Sequence, residues 1–200
     1  MPSAFALRRL RELGAPVGDR ARVIGSVQRD IAERSRADEG RFALAAGRLL
    51  PEKGFADAID AARLAGLPLV IAGDGPQAAE LRERAAGADV RFTGALPPGE
   101  LAALRRRAGA AIVPSRYAEI LPLAALEAMA AGLPVVAAAA GGLRDAVPEE
   151  GHYPPGDAAA LAERLAALWR DAEAGERALA LAREHYAPAA VARTLRALYG

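Results

Sequence analysis

The sequence predicts an α/β protein: a doubly wound parallel sheet closed by C-terminal helices. Three observations predict it. From Arg41 onward, short β-type runs alternate with stretches of helical period, the pattern of a sheet wrapped by helices. The β-type runs are apolar throughout rather than alternating, as in parallel strands covered on both faces. Most of the helical stretches close on Gly, the usual residue just past a helix C-terminus.

In chain order, "SAFALRRLRELG" is an amphipathic helix, "ARVIGS" a short strand, and "VQRDIAERSRADEG" a polar stretch of poor periodicity. Residues 1–40 therefore read as a lead-in rather than a complete domain, and residues 41–200 as the domain itself. Its strands are "FALAAG", "LPLVIAG", "VRFTG", "AAIVPS" and "LPVVAAA". Between them lie the helices "EKGFADAIDAARLAG", "PQAAELRERAAG", "PPGELAALRRRAG" and "LPLAALEAMAAG". From Asp157 to Tyr199 only helix signals remain: "DAAALAERLAALWRDA", "AGERALALAREHY" and "PAAVARTLRALY". Asp157 is the natural N-cap of the first, and Trp169 is read as a packing residue.

Composition narrows the function classes. Apolar residues make up 52% and aromatics only 4%, so the core is aliphatic and alanine-rich. A net charge of +1 gives no field that would draw nucleic acid or an acidic membrane. No run approaches the ~18 apolar residues of a membrane span. The N-terminus lacks the apolar centre of a secretion signal. The absence of cysteine excludes disulfides, zinc–thiolate sites and a thiol nucleophile. A cytoplasmic location is the expectation.

One stretch, "AEILPLAALEAMAAGLPVVAA", is almost wholly apolar yet holds Glu119 and Glu127. Carboxylates in such surroundings need partners. Glu119 follows the strand "AAIVPS", at the edge where open α/β sheets bind ligands. Pro122 suits the first helical position. The amides of Leu123, Ala124 and Ala125 would then be open donors at a helix N-terminus, an anion site suited to phosphate. Glu127, a turn and a half into the helix, is placed to accept from a diol. The pattern alone equally allows two partly exposed surface glutamates on a helix that simply packs.

Other constellations are read in the same two ways. "AAGRLLPEKGF" brings Arg48 and Lys53 to the end of the first strand, as a diphosphate clamp or as ordinary surface cations. Gly73, Gly75 and Ala78 form a GxGxxA string, but the next strand ends without the acid that a dinucleotide site requires. "GDGP" is thus a tight βα turn. Gly141-Gly142 allows close backbone approach to a ligand or makes a plain turn, and Asp145 caps or orients. Arg105-Arg106-Arg107 reads as a solvated helix face. His152 and His185 have no recognisable partner and read as structural.

Taken together, "GRLLPEKGF", "LVIAGDGP", "VRFTGALPPGELAALRRRAGAAIVPSRYAE", "LEAMAAGLPVVA", "GGLRDAV" and "HYPPGDAAALAERLAAL" resemble, in order and spacing, the C-terminal donor-binding domain of glycosyltransferase family 4. The likeness spans residues 41–200 and implies the Rossmann-like half of a GT-B fold. Residues 1–40 resemble that fold's inter-domain crossing. The resemblance implies that Arg48 and Lys53 hold the donor diphosphate, with Gly47 beside them. It implies Glu119 as the catalytic carboxylate facing the sugar hydroxyls, and Glu127 on the ribose diol. Leu121, Leu123 and Ala124 would meet the distal phosphate, and backbone near Gly94, Ala95 and Leu96 the base. The donor implied is a UDP-, GDP- or ADP-sugar, with no cofactor and no metal.

Two departures stand out: Ile120-Leu121-Pro122 where the family often has a small residue, Phe and Gly, and Asp145 where it more often has Glu. The implied activity is retaining transfer of a hexose to an acceptor hydroxyl. The implied partner is an N-terminal acceptor-binding domain, too large for residues 1–40 to supply. Any membrane association would come through that domain, and this chain alone would be inactive. Two other readings keep the fold: a sugar-nucleotide epimerase or hydrolase, and a non-catalytic nucleotide-sugar-binding module.

Overall fold

Even and odd residues of the central strands serve two different cores, which is why those strands carry no polar alternation; the edge strand at Val90–Gly94 does alternate, with Arg91 exposed. The computed structural model describes residues 1–19 and 21–199; Arg20 and Gly200, assigned above to the lead-in and the domain, lie outside them. Six strands form one parallel sheet: β1 (Ala43–Ala46), β2 (Leu69–Ala72), β3 (Val90–Gly94), β4 (Ala110–Val113), β5 (Val135–Ala138) and β6 (His152–Tyr153). Their order is β3-β2-β1-β4-β5-β6.

Helices cover both faces. Ala43, Ala45, Leu69, Ile71, Ile112 and Val136 point to a core shared with α2 (Phe55–Ala65), α3 (Ala78–Arg84) and α7 (Ala158–Leu168). Leu44, Val70, Ala111, Val113, Val135 and Ala137 point to the opposite core. That second core is closed by α4 (Pro98–Arg105), α5 (Leu123–Ala130), α6 (Gly142–Ala146) and α8 (Ala172–Tyr186). Period-2 side chains with both faces buried give continuous apolar runs. Alanines at Ala58, Ala61, Ala62 and Ala162 let α2 and α7 approach closely.

Asp157 caps α7 as predicted, its side chain accepting from Ala160 N at 2.9 Å. Trp169 follows that helix and packs, partly buried, on the first core. α9 (Pro188–Tyr199) completes the chain.

Three local expectations are corrected. "ARVIGS" is not a strand: residues 21–26 run beside α8 and the N-terminus without joining the sheet. Gln28 N donates instead to Tyr186 O. The sixth strand escapes sequence reading because it is two residues long. "GGLRD" is a short helix, α6, rather than a bare turn.

The lead-in segment lies against the domain. α1 (Ala4–Glu12) packs on α6, and Arg8 pairs with Asp145 at 2.8 Å. Ser35 Oγ donates to Gly132 O. The "GDGP" turn is as read: a Cβ on Gly73 would fall 1.8 Å from Gly47 O, so glycine there lets the β1 and β2 loops touch. No helix among the described residues is long and apolar enough to cross a membrane.

Candidate functional site

The strand order reverses at β1 and β4, which pair with each other at the centre of the sheet. In doubly wound sheets the crevice beyond the carboxyl ends of such strands is the ligand site. The loops leaving β1 and β4 meet there around a cavity of about 560 Å³. Gly47, Arg48, Lys53, Glu119, Leu121, Leu123, Ala124 and Glu127 all line it. Ala95 and Leu96 line an adjoining hollow of about 290 Å³ that shares Gly47 and Arg48. Gly94 lines neither; it ends β3, and its carbonyl accepts from Gly73 N at 2.8 Å.

Lys53 closes a single 3-10 turn, Pro51–Lys53, before α2. Its Nζ lies 2.9 Å from Glu119 Oε1 and 3.0 Å from Tyr117 Oη, with the ammonium 4.9 Å from the Tyr117 ring centre. Burial pulls the Lys53 pKa down, but the bonds to Tyr117 and Glu119 outweigh it and hold it above the ordinary lysine value. Glu119 is only 6% exposed and also accepts from Ser115 Oγ. This answers the requirement that a carboxylate in an apolar stretch be paired. Arg48 is exposed and makes no ion pair among the described residues.

The loops are fastened to each other behind the cavity. Arg116 Nε donates to the buried Asp57 at 2.8 Å, and Arg116 N donates to Glu52 O at 2.8 Å. On the far side, Gly142 N donates to Glu119 O at 2.6 Å. A Cβ on Gly142 would sit 2.8 Å from the carbonyls of both Glu119 and Ile120. The Gly141-Gly142 pair therefore serves as the seat of the Glu119 segment, a role sequence reading left between ligand approach and plain turn.

Two expectations about this site are corrected. Pro122 stands before α5 rather than as its first residue, at φ −82° and ψ 73°. That is an inverse γ-turn, which spends the Leu123 amide on Leu121 O at 3.0 Å. The Ala125 amide goes to Pro122 O at 3.0 Å. Of the three expected donors, only Ala124 N lacks a backbone partner among the described residues.

The second correction is Arg105, which belongs to no solvated face. Its side chain is 10% exposed and its guanidinium donates to Glu127. Burial lowers the Arg105 pKa, opposed by Glu127 and Asp30. Arg106 and Arg107 are exposed, as read. The signal that was available is periodicity: Arg105 falls next to Leu104 and one turn from Leu101, on the buried side of α4.

The fold and the cavity define a class: a doubly wound α/β domain with a polar crevice at its switch point, walled by cations, two glutamates and a helix start. Residues 26–185 match the family described as glycosyl transferases group 1, and the chain belongs to that family. It is 43% identical over 150 residues to a glycogen synthase of Mycobacterium tuberculosis, covering 69% of this chain and 36% of that one. It is 36% identical over 130 residues to the sulfoquinovosyl transferase SQD2 of Arabidopsis thaliana, covering 62% and 24%.

Among solved structures, sucrose-phosphate synthase from Thermosynechococcus elongatus superposes with a TM-score of 0.78 at 28% identity, over 100% of this chain and 56% of that one. Anabaena HepE, solved with UDP and glucose, superposes at 0.80 and 21% identity, over 99% and 61%. The domain is thus the Rossmann-like half of a GT-B fold. The chain spans about a third of the length of the curated glycogen synthase it matches.

Proposed function

We propose that this chain is the nucleotide-sugar-binding domain of a retaining hexosyltransferase. The observation that carries the reading is the gathering of Arg48, Lys53, Glu119 and Glu127 around one cavity at the switch point of the sheet. Arg48 and Lys53 hold the donor diphosphate, and Ala124 N with the start of α5 meets the distal phosphate. Leu121 and Leu123 wall that end, and Gly47 lets backbone approach. Glu127 accepts from the ribose diol. Ala95 and Leu96, with the end of β3 at Gly94, take the base. Glu119 accepts from the hexose hydroxyls next to the bond that breaks.

The chemistry follows from the charges. As the glycosidic bond to the diphosphate lengthens, negative charge grows on the leaving oxygens, where Arg48, Lys53 and the helix start are fixed. These groups do the work a divalent ion would do, so donor binding is metal-independent in this reading. Glu119 and Glu127 are both engaged by cations. Held in this way, both stand as fixed acceptors for the donor's hydroxyls. The acceptor is held by an N-terminal domain, consistent with the much greater length of the relatives. The chain alone binds donor and transfers nothing.

Titration calorimetry with UDP, GDP, ADP and their glucose conjugates, with and without EDTA, tests this. One base series binds in the tens of micromolar, roughly −6 kcal/mol, unchanged by EDTA. Failure of all three series at millimolar concentration refutes the reading, as does measurable sugar transfer by the chain alone.

A further inference from the structure

Glu127 is a poor ligand unless something holds it. It stands among buried residues of α5 but its side chain is 40% exposed, and a long flexible carboxylate loses affinity to its own ordering. The structure supplies the holder from another helix. Arg105, the last residue of α4, reaches across and donates through Nη2 to Glu127 Oε2. The neighbouring charges leave this pairing undisputed: Arg106 takes Asp30 at 3.5 Å, and Lys53 is taken by Glu119. Oε1 of Glu127 has no partner among the described residues. The pair forms a wall between the main cavity and a second hollow of about 460 Å³, bounded by Val27, Asp30 and Pro98.

We infer that Arg105 is the positioning residue for Glu127, fixing the carboxylate in the orientation in which it accepts from the ribose diol. The inference rests on the donor-binding reading above. An ionised carboxylate held on one oxygen is an acceptor only. It matches two O–H donors and repels phosphate oxygens, which have no proton to give. Arg105 also balances the Glu127 charge, so a carboxylate can stand near a diphosphate without weakening it. Sequence reading, which left Arg105 on a solvated face, assigns it no such part.

The test is calorimetric titration of the 200-residue chain with UDP, GDP and ADP and the 2′,3′-dideoxy form of whichever binds. The unaltered chain prefers the ribonucleotide by about tenfold or more, the worth of a charged hydrogen bond. Arg105→Met reduces that preference to within about threefold while leaving the dideoxy affinity near its original value. Arg105→Gln, which keeps the side-chain stem, does the same, and Arg105→Lys recovers part of the preference. Far-UV circular dichroism verifies the fold of each variant.

If Arg105→Met and Arg105→Gln keep the full preference while Glu127→Ala loses it, Arg105 positions nothing and the inference fails alone. Equal weakening of both nucleotides by Arg105→Gln also overturns it, since that marks a phosphate contact or a structural role. If Glu127→Ala itself keeps the preference, or no ribonucleotide binds, the donor-binding reading falls first and takes the inference with it.

Discussion

The ion pair between Lys53 and Glu119 can be measured apart from any ligand. At 2.9 Å and an effective dielectric of ~20, the gross attraction is about 6 kcal/mol. Most of it is offset by desolvation, because Glu119 is nearly buried. A net of about 1.5–3 kcal/mol remains, the range for a charged hydrogen bond. Glu119→Gln keeps the shape and the Ser115 contact but removes the charge. For a chain of this size that loss lowers Tm by roughly 3–9 °C. Lys53→Met has a similar cost. The double variant costs less than the two together, by at least ~1 kcal/mol, because each single change strands the other group. Thermal and urea denaturation of the four proteins, followed by circular dichroism, gives the coupling. Additive losses within ~0.3 kcal/mol would show that the pair is not an energetic unit, and the account of why Glu119 sits in an apolar stretch would be wrong.

The remaining expectations follow from the same geometry. Lys53→Ala weakens nucleoside diphosphate binding about ten- to a hundredfold with no change on adding EDTA, as calorimetry will read. Glu119→Gln leaves the bare diphosphate within about threefold, since Lys53 stays and is released from its partner, but weakens the sugar nucleotide by about tenfold; the reverse order in a competition assay contradicts the assignment of Glu119 to the hexose. Gly142→Ala forces a methyl group against Glu119 O and Ile120 O, costing about 1–3 kcal/mol in denaturation, and it harms sugar-nucleotide binding more than an alanine at exposed Gly99 does. His152 has its pKa lowered by burial, so folding favours its neutral form; stability is full above the unfolded value near 6.5 and falls as pH drops through that value toward the lower folded pKa. His152→Gln removes this dependence from the Tm-against-pH curve, and an unchanged slope below pH 6.5 would show that His152 does not titrate with folding.

Much of this molecule was legible without coordinates. Five strands and the helices between them were legible from their alternation along the chain, and runs such as "LPLVIAG" and "LPVVAAA" are apolar at both parities, as a sheet buried on two faces allows. The Asp157 cap was legible because its hydrogen bond is local, three residues away. Arg48, Lys53, Glu119, Leu123, Ala124 and Glu127, which line the main cavity, were legible because they lie at or near a strand end or helix start, where a doubly wound sheet exposes its chain to ligands.

What the sequence alone determined, then, was set by interactions within one turn or one strand. The tertiary structure decided most of the rest, because the deciding partner is distant in the chain; the turn at Pro122, closed by Leu123 N on Leu121 O, is the local exception. Glu119 is held by Lys53, sixty-six residues away, and its backbone is seated by Gly142. Arg105 looked like one of three solvated arginines until α5 placed Glu127, twenty-two residues on, beside it. Ile24 and its neighbours had the composition of a strand but lie against the N-terminus and Tyr186, away from the sheet. His152 and Tyr153 are too short a run to read as a strand and became one by pairing with the edge of β5. Local sequence fixes what a residue can do; which charge it meets, and which sheet edge it finds, depends on how the sheet and helices pack.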